Sequence, residues 1–239
     1  MLLTKHLFRT MTTAIPSKVV TIDIVSDTIC PWCFVGKRRL ETAIAQAIKA
    51  HPGTKFETVW HPYELDPTLP KESVDKHANY VKKFGEERMK QMLPYMENIG
   101  RLLIASSPQS TGKAENISFN FGGRVGNTTD SHRLVWWATK QGKQDEMVEE
   151  LFRHYFEQER DVADVETLAE IARKVGLDRN ATLAFLQSDE GRAEVKAEIY
   201  RNMGKSISGV PHFMIDKRYT LSGAQPPETF VELFDEILA

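Results

Sequence analysis

Cysteine is scarce in this chain: only Cys30 and Cys33 occur in 239 residues. Two thiols so close together cannot make the disulfide framework of a small secreted fold. Nor can they alone supply the four ligands of a structural zinc site. Neither charge is in excess, with 31 basic against 33 acidic side chains. The electrostatic footprint of a nucleic-acid or anionic-membrane binder is therefore missing, and no such partner is expected. Long apolar runs are missing too. The longest stretch without Asp, Glu, Lys or Arg is residues 102–112, well short of the roughly 20 residues of a membrane span. What remains is a globular chain long enough for one large domain or two small ones.

Acidic residues are absent before Asp23, while Lys5, Arg9 and Lys18 lie among several Ser and Thr. Leu3, Leu7, Phe8 and Met11 add a loose apolar stripe. Residues 1–17 therefore read as a flexible tail or a mitochondrial transit peptide. Leu2-Leu3 is too short for the apolar core of a secretory leader, so a cytoplasmic or mitochondrial location is expected.

Residues 19–25 (VVTIDIV) are β-branched and apolar, which predicts a buried strand. After Phe34, the positions Leu40, Ala43, Ile44, Ala47 and Ile48 recur at helical spacing until His51-Pro52-Gly53 ends the pattern. Residues 55–60 alternate as a second strand, and Pro62, Pro67 and Pro70 interrupt regular structure after it. Strand, helix and strand in succession predict a βαβ unit with parallel neighbours. Residues 71–205 are mostly helical in period, with Asp164 as an N-cap and Gly176 as a C-cap. Residues 106–130, rich in Gly, Ser and Asn, read as a long connection. Residues 212–215 and 219–222 flank Asp216-Lys217-Arg218 as a hairpin, and Pro226-Pro227 opens a last helix. The expected architecture is α/β: residues 18–70 and 206–239 form one domain, and residues 71–205 form a large all-helical domain inserted between its βαβ and ββα halves.

The cysteine pair falls at the strand-to-helix turn. Pro31 suits the first helical position, because its φ is preset and it has no N–H to leave unpaired, and this makes Cys30 the N-cap. A sulfur there is expected to face unpaired backbone N–H groups and the positive end of the helix dipole, which favour thiolate over thiol. Cys30 is therefore the expected exposed nucleophile, and Cys33, one turn later, the resolving thiol. Two small residues that merely share a core would show the same spacing, but the strand-to-helix position favours redox chemistry. Asp27 just ahead either opposes thiolate formation or assists proton transfer, depending on its distance. Gly209-Val210-Pro211 precedes the late strand, where a cis Val210–Pro211 bond would offer the Val210 backbone as an edge for an extended peptide. An ordinary trans proline at a strand entry is the plainer alternative.

Residues 27–36 (DTICPWCFVG) resemble the active-site start of the DsbA-like thioredoxin-fold superfamily, in particular its FrnE-like branch. Residues 60–65 (WHPYEL), 127–134 (NTTDSHRL), 209–213 (GVPHF) and 221–225 (LSGAQ) resemble the same branch. Relatives of that branch include 2-hydroxychromene-2-carboxylate isomerases and kappa-class glutathione transferases. The resemblance implies a thioredoxin-like fold with an inserted helical domain, and a cis Pro211 packed beside Cys30 and Cys33. It implies a protein disulfide oxidoreductase in which Pro31, Trp32, Val210 and Pro211 contact substrate. Asn127 and His132 would be placed near substrate or glutathione. For His132, a hydrogen-bonded histidine at a helix start is the plainer reading.

The glutathione-using relatives typically carry serine at the first motif position, whereas this chain keeps both cysteines, which favours dithiol chemistry. A glutathione-dependent isomerase or transferase, and a peptide-binding or chaperone module, are the alternatives. No tightly bound cofactor is expected; glutathione is an optional co-substrate. Without a second cysteine pair, electrons must pass to an outside thiol or disulfide partner. A homodimer is compatible with the sequence.

Other features point to structure. The run Gly122-Gly123-Arg124-Val125-Gly126 has neither the leading strand nor the Lys-Ser/Thr of a phosphate loop. Trp136-Trp137 reads as helix core, and Lys37-Arg38-Arg39 as a solvated helix face. His61, His77, His154 and His212 show no metal-ligand spacing, so no metal is expected.

Overall fold

Every second residue of the first strand, β1 (Val19–Ser26), points into the core: Val20, Ile22 and Ile24 are fully buried. In the computed structural model, which describes residues 18–102, 117–204, 207 and 209–239, this strand is central. Helix α1 (Pro31–Ala50) and strand β2 (Lys55–Pro62) follow, and β2 pairs parallel to β1 from Val19↔Lys55 to Ser26↔Pro62. Strand β3 (Val74–Asp75), α2 (Lys76–Phe84), α3 (Glu86–Leu102) and β4 (Arg124–Val125) come next. Then come α4 (Thr129–Thr139), α5 (Gln144–Phe152), α6 (Val165–Lys174), α7 (Arg179–Gln187) and α8 (Arg192–Gly204). Strands β5 (His212–Ile215) and β6 (Tyr219–Ser222) and helix α9 (Pro227–Leu238) end the chain.

The four-stranded sheet has the order β2-β1-β5-β6, with β5 antiparallel to β1 and β6 antiparallel to β5. The predicted α/β class holds: the βαβ half ending at Pro62 and the ββα half starting at His212 build one sheet, while the interval is mostly helical. Asp216 and Lys217 adopt positive φ, 49° and 56°, in the β5–β6 turn. The Asp216 carboxylate accepts the Thr21 N–H at 2.8 Å, which ties that turn to β1.

The helical block docks on the exposed edge of β2. The Gln144 amide accepts from Trp60 N (3.1 Å) and donates to Trp60 O (2.9 Å), pairing with the edge strand as another strand would. α5 ends in a π-helical turn, Arg153–Glu157. Phe152, Tyr155 and Phe156, three and four residues apart, share one face and are all fully buried. Phe34 stacks on Phe152 at 5.2 Å, so α1 and the block share one apolar core. Burying each such ring contributes about 1.5–3 kcal/mol.

Two expectations change. The long connection expected over residues 106–130, of which 106–116 lie outside the described residues, carries β4, which pairs antiparallel with β3, so residues 71–205 are not all-helical; Arg124 donates to Ser73 O. Lys37 and Arg38 are not on a solvated face: they are 3% and 6% exposed and are clamped by Glu41, Asp145 and Glu149. The reason is the helix docked on that side, which brings Asp145 and Glu149 over the first turns of α1. Trp136 and Trp137 do pack in the helical block, against Phe185. Residues 1–17 and the 205–206 boundary lie outside the described residues. No helix among the described residues is long and apolar enough to cross a membrane.

Candidate active site

Cys30 is the N-cap of α1, with φ −89° and ψ 113°, and Pro31 follows at the first helical position, as the sequence predicts. Its surroundings differ from expectation. The residue is only 3% exposed, and its side chain makes no capping bond to the helix N–H groups. The Cys30 thiol donates instead to Val210 O at 3.5 Å. The Val210–Pro211 peptide bond is cis, Val210 is 9% exposed, and Gly223 N donates to Pro211 O at 2.8 Å. Pro31 and Trp32 are half-buried.

Cys33 lies one turn behind, fully buried, and no disulfide joins the two residues. Burial pushes its thiol well above the ordinary range, reinforced by the neighbouring Cys30 sulfur. The Ser26 hydroxyl and the Asp27 backbone N–H act in the opposite direction.

Three distant segments are stitched around this pair. Asp27 is fully buried, and its carboxylate accepts Leu65 N–H at 2.7 Å and Ile29 N–H at 3.3 Å. His132 Nε2 donates to Tyr63 O at 2.9 Å and stands 3.5 Å from Asp27 Oδ1. His132 is thus a hydrogen-bonded residue in the first turn of α4 that also faces the Asp27 carboxylate. Ser131 donates to Thr128 O, so its oxygen accepts from Thr28, both bonds at 2.8 Å. Thr129 Oγ1 donates to Glu64 at 2.6 Å. Asn127 shapes the start of α4, accepting Thr129 N–H at 3.0 Å. With Glu64, Arg192 and Lys196 it lines a separate polar cavity of about 320 Å³, which none of residues 28–33 lines. The structure therefore gathers Cys30, Cys33, Pro31, Trp32, Val210 and Pro211, connects His132 to them only through Asp27, and places Asn127 on a separate cavity.

The DSBA-like thioredoxin domain family matches residues 21–235 of this sequence. The chain belongs to that family. A probable DsbA oxidoreductase from Streptomyces coelicolor is 30% identical, with a TM-score of 0.74 over 91% of this chain and 89% of that one. An uncharacterized Bacillus subtilis protein, YwbO, is 26% identical over 202 residues, covering 82% of this chain and 86% of its own. The cytosolic disulfide reductase DsbM of Pseudomonas aeruginosa, solved with GSH, is 15% identical with a TM-score of 0.59, covering 91% and 98%. At that identity the likeness is one of fold.

Several residues of this site escape a reading based on spacing. Ser26 bonds the Cys33 sulfur from the end of β1. Gly36 makes room for Pro211. Tyr80, from α2, has its phenol raised to about 12, chiefly by burial. Tyr95, from α3, packs its ring on Trp32 at 6.2 Å. Ser26 and Gly36 carried a signal, since both flank the motif. The two tyrosines carried none, because only tertiary packing brings α2 and α3 to this point.

Proposed function

We propose that this protein is a thiol–disulfide oxidoreductase of the DsbA/FrnE-like kind, acting through Cys30 and Cys33. The asymmetry of the two sulfurs carries this reading: Cys33 is buried, held as a thiol and aimed at Cys30, whereas Cys30 heads the helix beside the Val210 carbonyl.

In the reducing direction, the Cys30 thiolate attacks one sulfur of a substrate disulfide and expels the other as a thiolate. Cys33 then loses its proton and attacks Cys30, forming the Cys30–Cys33 disulfide and releasing the second substrate thiolate. The substrate gains two electrons and the dithiol loses them. The reverse sequence oxidises a substrate dithiol. Once the Cys30 proton is gone, the Val210 carbonyl no longer receives it and can accept a substrate N–H beside the cysteine pair. With no further thiol on the chain, an external thiol or disulfide must reset the pair. Glutathione or a protein thiol serves that role in this proposal.

Cys30→Ser should abolish insulin reduction or thiol oxidation. Cys33→Ser should trap a mixed disulfide at Cys30, seen by mass spectrometry of the unreduced protein. Turnover retained by Cys30→Ser would overturn the assignment.

A further inference from the structure

An attacking sulfur must meet the incoming disulfide, yet Cys30 is 3% exposed and Cys33 not at all. A helix outside the four-stranded sheet, α3, brings a ring to this point. Tyr95 on α3 lies against Trp32, the residue between the cysteines, with centroids 6.2 Å apart and planes at 54°. The principal neighbour of α3 is α2, and α2 otherwise packs on the short β3–β4 ribbon. Side chains therefore do much of the work of holding α3, through Met96 and Ile99 in the core and Tyr95 on Trp32. The buried stripe of α3 includes Met89 and Met96, with Met92 half-buried, and unbranched thioethers repack readily when a neighbour shifts. Tyr95 itself is 57% exposed, a large ring left at the rim.

We propose that Tyr95 is a specificity-determining residue: its contact with Trp32 is a gate over the cysteine pair that slows bulky disulfides more than small ones. The substrate side of this statement rests on the dithiol reading, whereas the gate itself is measured without turnover.

The reduced protein is alkylated with N-ethylmaleimide and, separately, with a long polyethylene-glycol maleimide, and peptide mapping follows Cys30. In Tyr95→Ala, the ratio of the bulky-reagent rate to the small-reagent rate should rise about fivefold, equivalent to the roughly 1 kcal/mol that an aromatic pair contributes. Tyr95→Phe, which keeps the ring, should retain the native ratio. Should Tyr95→Ala fail to fold by circular dichroism, Tyr95→Leu reports the same ratio. An unchanged ratio, or equal acceleration of both reagents, overturns the gate. Reduction of insulin and of hydroxyethyl disulfide by the same variants then tests the substrate side. A raised alkylation ratio in a protein that reduces neither disulfide would sink the dithiol reading and leave the gate standing.

Discussion

A Cβ atom on Gly36 would stand 2.8 Å from Cγ of Pro211 and 3.1 Å from Cζ of Phe213. The bare backbone one turn past Cys33 is what lets Pro211 sit against α1, and so holds the Val210 carbonyl 3.5 Å from the Cys30 sulfur. Gly36→Ala should cost about 1–3 kcal/mol through overpacking. Disulfide turnover should fall by on the order of tenfold as the proline shifts. Urea unfolding and insulin reduction on the same samples check both.

Glu149 neutralises two buried cations, with Arg38 at 2.9 Å and Lys37 at 3.4 Å. Burial alone would raise its carboxyl, but the hydrogen bond and charge of Arg38, aided by Lys37, outweigh it and hold the group at about 2. Because the folded value lies below the unfolded one, the contribution is complete above about pH 4.5 and is lost as pH falls towards 2. Glu149→Ala leaves Arg38 to Glu41, and Lys37 to Glu41 and Asp145, and the loss of its charged hydrogen bonds should cost roughly 1.5–3 kcal/mol at pH 7. An acid titration of stability should show the wild-type loss between pH 4.5 and 2 diminished in the variant.

His61 joins the sheet to α8, bonding Asp23 at 2.7 Å and Glu198 at 2.6 Å. Burial works against its protonated form, yet the two carboxylates prevail and the imidazole is raised above its usual range. A raised folded value means that the stabilisation is full below about pH 6.5 and fades as pH climbs through the folded value. His61→Gln should therefore lower Tm by a few degrees at pH 5.5, about 1 kcal/mol, and by less at pH 9. Differential scanning calorimetry at the two pH values decides it.

Lys76 is 1% exposed, with its ammonium 3.7 Å from the Tyr155 ring centroid and 3.2 Å from Tyr155 O. Burial lowers it to about 8, against the pull of Glu159 and Asp161. Between pH 8 and 10.5 the unfolded chain binds more protons at this site, so wild-type stability gains a rising component across that window. Lys76→Met should remove that component and raise stability at pH 7 by about 1–3 kcal/mol. Urea midpoints at pH 7, 8.5 and 10 test the sign.

Much of the frame is legible in short-range pattern. The apolar, β-branched run of β1, the Asp164 cap on Thr167 N–H at 2.8 Å and the φ of +88° at Gly176 are set by residue types and interactions within a few residues. So is the place of Cys30 as the N-cap before Pro31. β3 and β4 were not legible, because a ladder of two residues a side has no period to detect.

The scarcity of cysteine, and the place of the pair between strand and helix, were determined by the sequence alone. They depend on composition and on the local stereochemistry of proline and β-branched residues. Only the tertiary structure decided that Cys30 is covered rather than exposed, that Lys37 and Arg38 are buried, and that His132 meets Asp27. Each of those facts is set by partners far away in the chain, and solvent exclusion between packed elements leaves no mark on local spacing.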